Sequence, residues 1–214
     1  MIRDILRIYL VMGSQNVRSN PLSVLEEALK GGITAFQFRE KGKDALEGED
    51  YLEFAKKCQN LCVQYGVPFI VNDDLDLAIK LNADGIHVGQ DDIPLKKVRL
   101  MFGRKIVGVS VHTMTDVEEA LKDGADYVGI GPVYPTKSKL DARKPSGCQF
   151  LREVANRYPE LPIVGIGGIT LNNLEPVLEA GADGIAIISA ISLSDNPLKA
   201  VELLKLEREK ILKA

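Results

Sequence analysis

The chain is poor in the residues that would hold a disulfide framework or a zinc site. Its three cysteines are odd in number, and Cys58 and Cys62 stand at the i,i+4 spacing of helix packing. Its two histidines, His87 and His112, complete no Ser-His-Asp or Cys-His nucleophile spacing, and no acidic pair suggests glycoside chemistry. No apolar run approaches the ~20 residues that cross a bilayer. The start, Met1 to Leu10, carries Arg3, Asp4 and Arg7 among its apolar residues, unlike a secretory signal. A cytoplasmic protein with no membrane partner is therefore expected. Positive charge is not in excess either. Lys and Arg number 27 against 30 Asp and Glu, which argues against general nucleic-acid binding and leaves any basic function local.

What is present is a chain of 214 residues with no linker or low-complexity segment. That length supports one core burying roughly 70% of the unfolded surface, so a single domain over 1–214 is expected. Short β-branched runs alternate with amphipathic stretches. Strands are expected at Ile8 to Val11, Ala35 to Phe38, Phe69 to Asn72, Gly85 to Val88, Ile106 to Ser110, Tyr127 to Ile130, Ile163 to Gly167 and Gly184 to Ile188. Helices are expected at Pro21 to Lys30, Asp50 to Tyr65, Leu75 to Leu81, Pro94 to Phe102, Thr115 to Asp123, Cys148 to Arg157, Leu171 to Ala180 and Pro197 to Lys213. Strict alternation of eight with eight is the count of a closed parallel α/β barrel, the (β/α)8 or TIM fold. An open doubly wound sheet more commonly has fewer strands and a glycine-rich first turn. An internal repeat supports closure: Ala83-Asp84-Gly85, Ala125-Asp126-Tyr127 and Ala182-Asp183-Gly184 each enter an even strand, and Gly31 to Ala35 is a looser copy before the second.

Candidate chemistry clusters where strands end. In Gln37-Phe38-Arg39-Glu40-Lys41 the strand period puts Gln37, Arg39 and Lys41 on one face and Phe38 and Glu40 on the other, so an amide and two cations converge as an anion site would require. Asp73 and Asp74 close the third strand, and Asp91 and Asp92 follow the fourth. Two carboxylates suit magnesium completed by water and substrate phosphate better than calcium. Asp74 reads as the cap of the next helix and Asp73 as the metal ligand; between Asp91 and Asp92 the spacing does not choose. The connection 132–147 is long for a compact domain and carries Thr136, Lys137, Ser138, Lys139, Arg143 and Lys144. Gly165 to Ile169 and Ile188-Ser189 sit where barrels commonly hold phosphate, and Thr170 stands where a dinucleotide fingerprint needs its third glycine. His87 falls inside a buried strand pattern and reads as a satisfied core or rim residue. Two anion sites and no strong base fit departure of diphosphate from a carbon able to bear positive charge.

Taken in order, Gln37 to Lys41, Val71-Asn72-Asp73-Asp74, His87 to Asp92, Gly108-Val109-Ser110, Gly131 to Lys139 and Gly165 to Ile169 resemble the successive motifs of the thiamine-phosphate synthase family. The resemblance spans almost the whole chain. It implies a TIM-barrel transferase of thiamine biosynthesis that joins 4-amino-2-methyl-5-(diphosphooxymethyl)pyrimidine to a thiazole phosphate, carboxylated or not, and releases diphosphate. By motif, Gln37, Arg39, Lys41, Asn72 and Lys139 would hold the pyrimidine diphosphate, with Phe38, Glu40 and Lys137 in the same substrate-binding stretches. Mg2+ would sit on Asp73 and Asp92, which settles the choice against Asp91. Ser110 would contact the pyrimidine, and Thr136, Ser138, Gly168, Ile188 and Ser189 the thiazole phosphate. Arg39, Lys41, Ser110 and Lys139 would be catalytic, in a dissociative reaction through a pyrimidine cation. Ser138 departs from a threonine common at that position and keeps its hydroxyl. The rival readings are a thiazole tautomerase of the same superfamily, which lacks several of the diphosphate residues present here, and a sensor that binds without turnover. Apolar residues on the last helix, Leu203, Leu206 and Ile211, are compatible with a homo-oligomer.

Overall fold

A computed structural model describes residues 2–138 and 144–213. The strands β1 (Ile8–Met12), β2 (Ala35–Phe38), β3 (Phe69–Asn72), β4 (Gly85–Val88), β5 (Ile106–Val111), β6 (Tyr127–Ile130), β7 (Ile163–Ile166) and β8 (Gly184–Ile187) pair in sequence order. All pairings are parallel, and β8 closes on β1 through Ile8↔Ile185 and Leu10↔Ile187. Each strand lies within a residue of its expected bounds. The helices are α1 (Ile2–Ile5), α2 (Pro21–Gly31), α3 (Gly48–Tyr65), α4 (Leu75–Lys80), α5 (Leu95–Phe102), α6 (Met114–Lys122), α7 (Gln149–Arg157), α8 (Glu175–Glu179), α9 (Ser189–Ser192) and α10 (Pro197–Ile211).

The two-residue period of each strand sorts side chains into two cores. Tyr9, Val11, Ala35, Ile70, Tyr127, Val164 and Ala186 fill the lumen, with Leu6 and the α1 residues Ile2 and Ile5 packed at its lower end. Their neighbours Ile8, Leu10, Phe36, Phe38, Ile86, Val128 and Ile185 face outward into the larger core beneath the helices.

The repeated Ala-Asp step has a specific job. Before β4, β6 and β8, the carboxylates of Asp84, Asp126 and Asp183 accept from the backbone N–H of Phe69, Val107 and Ile163 at 2.9, 2.8 and 2.8 Å. The aspartate N–H groups return the bond to the carbonyls of the same residues at 3.1, 2.8 and 2.8 Å. In the looser first copy Thr34 does the same, its hydroxyl accepting from Ile8 N at 2.9 Å while its N–H donates to Ile8 O at 2.8 Å. Each odd strand is thus stapled at its entrance to the following even strand, and the barrel is built as four such quarters. Replacing Asp84, the staple of the second quarter, with alanine should cost about 1–3 kcal/mol in urea denaturation because the Phe69 N–H loses a charged acceptor; Asp84→Asn should recover most of it.

One helix is shorter than its pattern predicts. Of the stretch Leu171 to Ala180 only Glu175–Glu179 is helical. Asn173 accepts from Thr170 N at 2.7 Å and donates to Gly168 O at 3.0 Å, so its side chain holds the preceding residues in a turn. Pro176, without an N–H, is then tolerated only in the first turn.

Candidate active site

The carboxyl ends of the strands open on one rim, and the charged residues of the first half of the chain meet there. Lys41, beyond β2, makes an ion pair with Asp73 and lies 3.8 Å from Asp92 Oδ1. Asp73 follows β3 with φ 62, a left-handed conformation that aspartate tolerates better than most residues. Its amide donates to His87 O at 2.8 Å, tying the end of β3 to β4. Asp92 is fixed by Gly89 N, which donates to Oδ2 at 2.7 Å. Burial first, and then the neighbouring Asp92 carboxyl, raise Asp73 to about pKa 6, while Lys41 opposes the rise.

Two carboxylates around one ammonium are held at an electrostatic cost that a stronger cation would relieve. That is the donor set a magnesium ion takes from protein. Among the described residues no third His, Cys, Asp or Glu joins them, so the remaining ligands would be water and substrate oxygen. Asn72 adds a second indication of an unfilled partner. Its Nδ2 donates to Asp73 Oδ1 at 2.6 Å, but its Oδ1 is buried with no hydrogen bond among the described residues. Asp74 takes the other role expected of the pair, capping α4 by accepting from Leu77 N at 2.8 Å.

Below about pH 6 a cation taken up by this pair would have to displace the Asp73 proton as well as the lysine. Because the folded protein holds the Asp73 proton up to about 6 and the unfolded chain releases it near 3.8, this group favours the folded state below about 4 and loses that contribution as pH rises through 6. Metal binding runs the other way. Were Asp73 to hold magnesium, the concentration giving half-maximal activity should rise by roughly tenfold per pH unit below about 6, measurable by metal titration at pH 5, 6 and 7.

Other expected site residues divide into those that reach the lumen or rim and those that do not. Gln37 points into the lumen and is 5% exposed. Ser110 stands at the end of β5, its hydroxyl 2.9 Å from His87 Nε2. Arg39 is half-buried at the rim. Phe38 is not brought to the site: it packs outward against Tyr51, Phe54 and Phe69. Glu40 is occupied as a loop clamp, accepting from Ser14 N, Ser14 Oγ and Leu46 N at 2.7, 2.6 and 2.9 Å. Its carboxylate thereby binds the loop after β1 to the loop after β2, which steadies Arg39 and Lys41 on either side of it.

On the opposite side of the rim the loop after β6 is stitched to the loop after β7. Val133 N donates to Ile166 O at 2.8 Å, Tyr134 N to Gly167 O at 3.0 Å, and the Tyr134 hydroxyl to Asn173 O at 2.9 Å. Gly168 lies under this crossing with φ 66, and a Cβ there would stand 2.6 Å from Pro135 O. Thr136 Oγ1 accepts from Ser138 N at 3.2 Å, Lys137 is exposed, and Lys139 and Arg143 lie outside the described residues. Ile188 stands at the N-cap position of α9, without a side-chain capping bond, and Ser189 opens the helix. The polar residues that sequence reasoning missed are Tyr9 and Tyr127, whose hydroxyls meet at 2.9 Å inside the barrel. Each sits at an inward strand position among apolar residues, where a phenol must find a partner.

A closed parallel barrel with cations, amides and an acid pair gathered on its carboxyl rim is a (β/α)8 enzyme of the kind that handles phosphorylated small molecules. The family described as thiamine monophosphate synthase matches residues 8–191. A thiamine-phosphate synthase of Bacillus licheniformis is 53% identical over 201 residues, covering 94% of this chain and 90% of that protein. One from Bacillus cereus (strain B4264) is 50% identical, covering 97% and 95%. The solved thiamine phosphate pyrophosphorylase of Pyrococcus furiosus superimposes with a TM-score of 0.88 at 34% identity, over 99% of this chain and all of that one. The chain belongs to the thiamine monophosphate synthase family and is an enzyme of the transferase class.

Proposed function

We propose that the chain catalyses magnesium-dependent condensation of 4-amino-2-methyl-5-(diphosphooxymethyl)pyrimidine with a thiazole phosphate, releasing diphosphate and forming thiamine phosphate. The observation that carries this reading is the meeting of Lys41 with Asp73 and Asp92 at one rim. Asp73 and Asp92 would hold Mg2+, which when bound neutralises charge on the leaving diphosphate. Lys41, freed from the acids, would join Arg39, Asn72 and Lys139 on the diphosphate oxygens. Charge-assisted bonds from these groups strengthen as the C–O bond breaks and negative charge gathers on the leaving group. Gln37 and Ser110 would orient the pyrimidine, and Thr136, Ser138, Gly168, Ile188 and Ser189 would seat the thiazole phosphate on the far side. No general base is required, because the thiazole nitrogen brings its own electron pair to the methylene carbon left by diphosphate.

The test is to mix the two halves with and without magnesium and follow diphosphate and thiamine phosphate. Equal amounts of both products, dependent on metal, are expected. Tight binding of both substrates with no diphosphate released would instead make the protein a sensor.

A further inference from the structure

A chain of polar side chains runs through the barrel interior, and neither metal nor phosphate binding accounts for it. Gln37 Nε2 donates to Tyr9 Oη at 2.9 Å, and Tyr9 Oη lies 2.9 Å from Tyr127 Oη. Tyr127 Oη is 3.0 Å from His87 Nδ1, and His87 Nε2 is 2.9 Å from Ser110 Oγ. Tyr9 and Tyr127 are 1% and 0% exposed. The barrel makes room for them by omission: a Cβ at Gly108 would fall 2.1 Å from Tyr127 Cζ, and one at Gly129 would fall 3.2 Å from His87 Cε1.

Such a chain has a direction, because each phenol owns one proton. Burial keeps both phenols protonated. With Gln37 donating to Tyr9, the Tyr9 proton goes to Tyr127 and the Tyr127 proton to His87 Nδ1. Neutral His87 then carries its hydrogen on Nε2 and gives it to Ser110 Oγ. Were Tyr127 to donate to Tyr9 instead, the Tyr9 proton would be left without an acceptor in a dry interior. The two ends therefore differ in polarity. At one end one Nε2 hydrogen of Gln37 is spent on Tyr9, which fixes the amide's orientation and leaves carbonyl Oε1 as its acceptor; at the other, Ser110 has its own proton to donate.

We propose that Tyr9, Tyr127 and His87 are positioning residues that lock Gln37 as acceptor and Ser110 as donor, and thereby select an aminopyrimidine over its oxo counterpart. The selection part rests on the proposed reading of Gln37 and Ser110 as contacts to the pyrimidine. An exocyclic amino group donates and a ring nitrogen accepts, which matches this order; a 4-oxo ring offers an acceptor and an N–H, which opposes it. Turning the Gln37 amide alone would not adapt the site, because it would set an acceptor against the oriented Tyr9 oxygen. Discrimination is thus a property of the whole chain of bonds.

The experiment has two arms. Protein labelled with 15N-histidine has two imidazoles to resolve, and His112→Gln assigns them. His87 should be the Nε2–H tautomer at neutral pH in the unliganded protein, and Tyr127→Phe should release that lock; an Nδ1–H or charged His87 overturns the proposal. In the second arm, dissociation constants of the 4-amino and 4-oxo forms of the pyrimidine diphosphate are compared with magnesium present. The wild type should favour the amino form by about 10- to 100-fold, and Tyr127→Phe should shrink that ratio several-fold. A merely structural tyrosine would weaken both ligands and leave the ratio unchanged, which would sink the proposal. If neither pyrimidine binds, the substrate reading and the selection fail together, while the tautomer result still decides the hydrogen-bond order.

Discussion

Asp92→Asn should lower kcat/KM by about 10³-fold while leaving thermal stability unchanged or slightly raised. The two halves of this expectation have separate causes. The substituted amide would keep an oxygen for the Gly89 N–H, now satisfied at 2.7 Å, so the loop after β4 has no reason to move. Removing the charge also removes the carboxyl that helps push Asp73 up to about 6, and Asp73 should titrate closer to an ordinary aspartate. The unliganded protein therefore loses a repulsion. What it also loses is one of the two carboxylates proposed to hold a divalent cation. Raising magnesium should recover part of the activity by mass action, whereas a fold defect would not respond. Metal-titrated kinetics alongside a melting curve separate the cases, and full turnover at limiting magnesium would count against the assignment.

Gly168→Ala should raise KM for the thiazole phosphate by about 100-fold and spare binding of the pyrimidine diphosphate. Gly168 has φ 66, where a side chain is strained, and its missing Cβ makes room for Pro135 O at 2.6 Å and Tyr134 Cβ at 2.8 Å. An alanine would lift the loop after β6 away from the loop after β7 and carry Thr136 and Ser138 with it. The bonds Val133 N to Ile166 O and Tyr134 N to Gly167 O report on this directly, because their amides should exchange faster in the variant. Substrate titrations in which each half is varied separately would show the asymmetry. Equal weakening of both would mean that Gly168 supports the barrel and not one subsite.

The barrel was legible because the strand signals agreed, although the helix after β7 is shorter than its pattern and the short α1 and α9 were not expected. Runs such as Phe69-Ile70-Val71, short, β-branched and bounded by turn residues, read as buried strands, and the Ala-Asp step that announces β4, β6 and β8 is a chain-local pattern whose partner, the entrance of the preceding strand, lies 15, 19 and 20 residues back. The charged part of the site was legible for a related reason. Lys41, Asp73 and Asp92 follow within four residues of the ends of β2, β3 and β4, and adjacent parallel strands deliver their ends to the same rim. The buried polar chain was not legible, since its members come from β1, β2, β4, β5 and β6 and meet only when the barrel closes. Tyr9 and Tyr127 read singly as core aromatics. Parity was available for Phe38 and Glu40, whose alternation with Gln37 and Arg39 put them on the far face; there they serve packing and loop clamping.

The four stapled quarters leave the molecule with a division of labour. The first two, from β1 to the loop after β4, supply the acids, the lysine and the amides of one end of the mouth, and the last two supply the glycines and hydroxyls of the other. Since each quarter is tied at its own foot, the loops on the far side of the rim can be remodelled by drift or by design without loosening the strand ends that gather Lys41, Asp73 and Asp92. The architecture lets one side of the mouth change while the other keeps its charges in place.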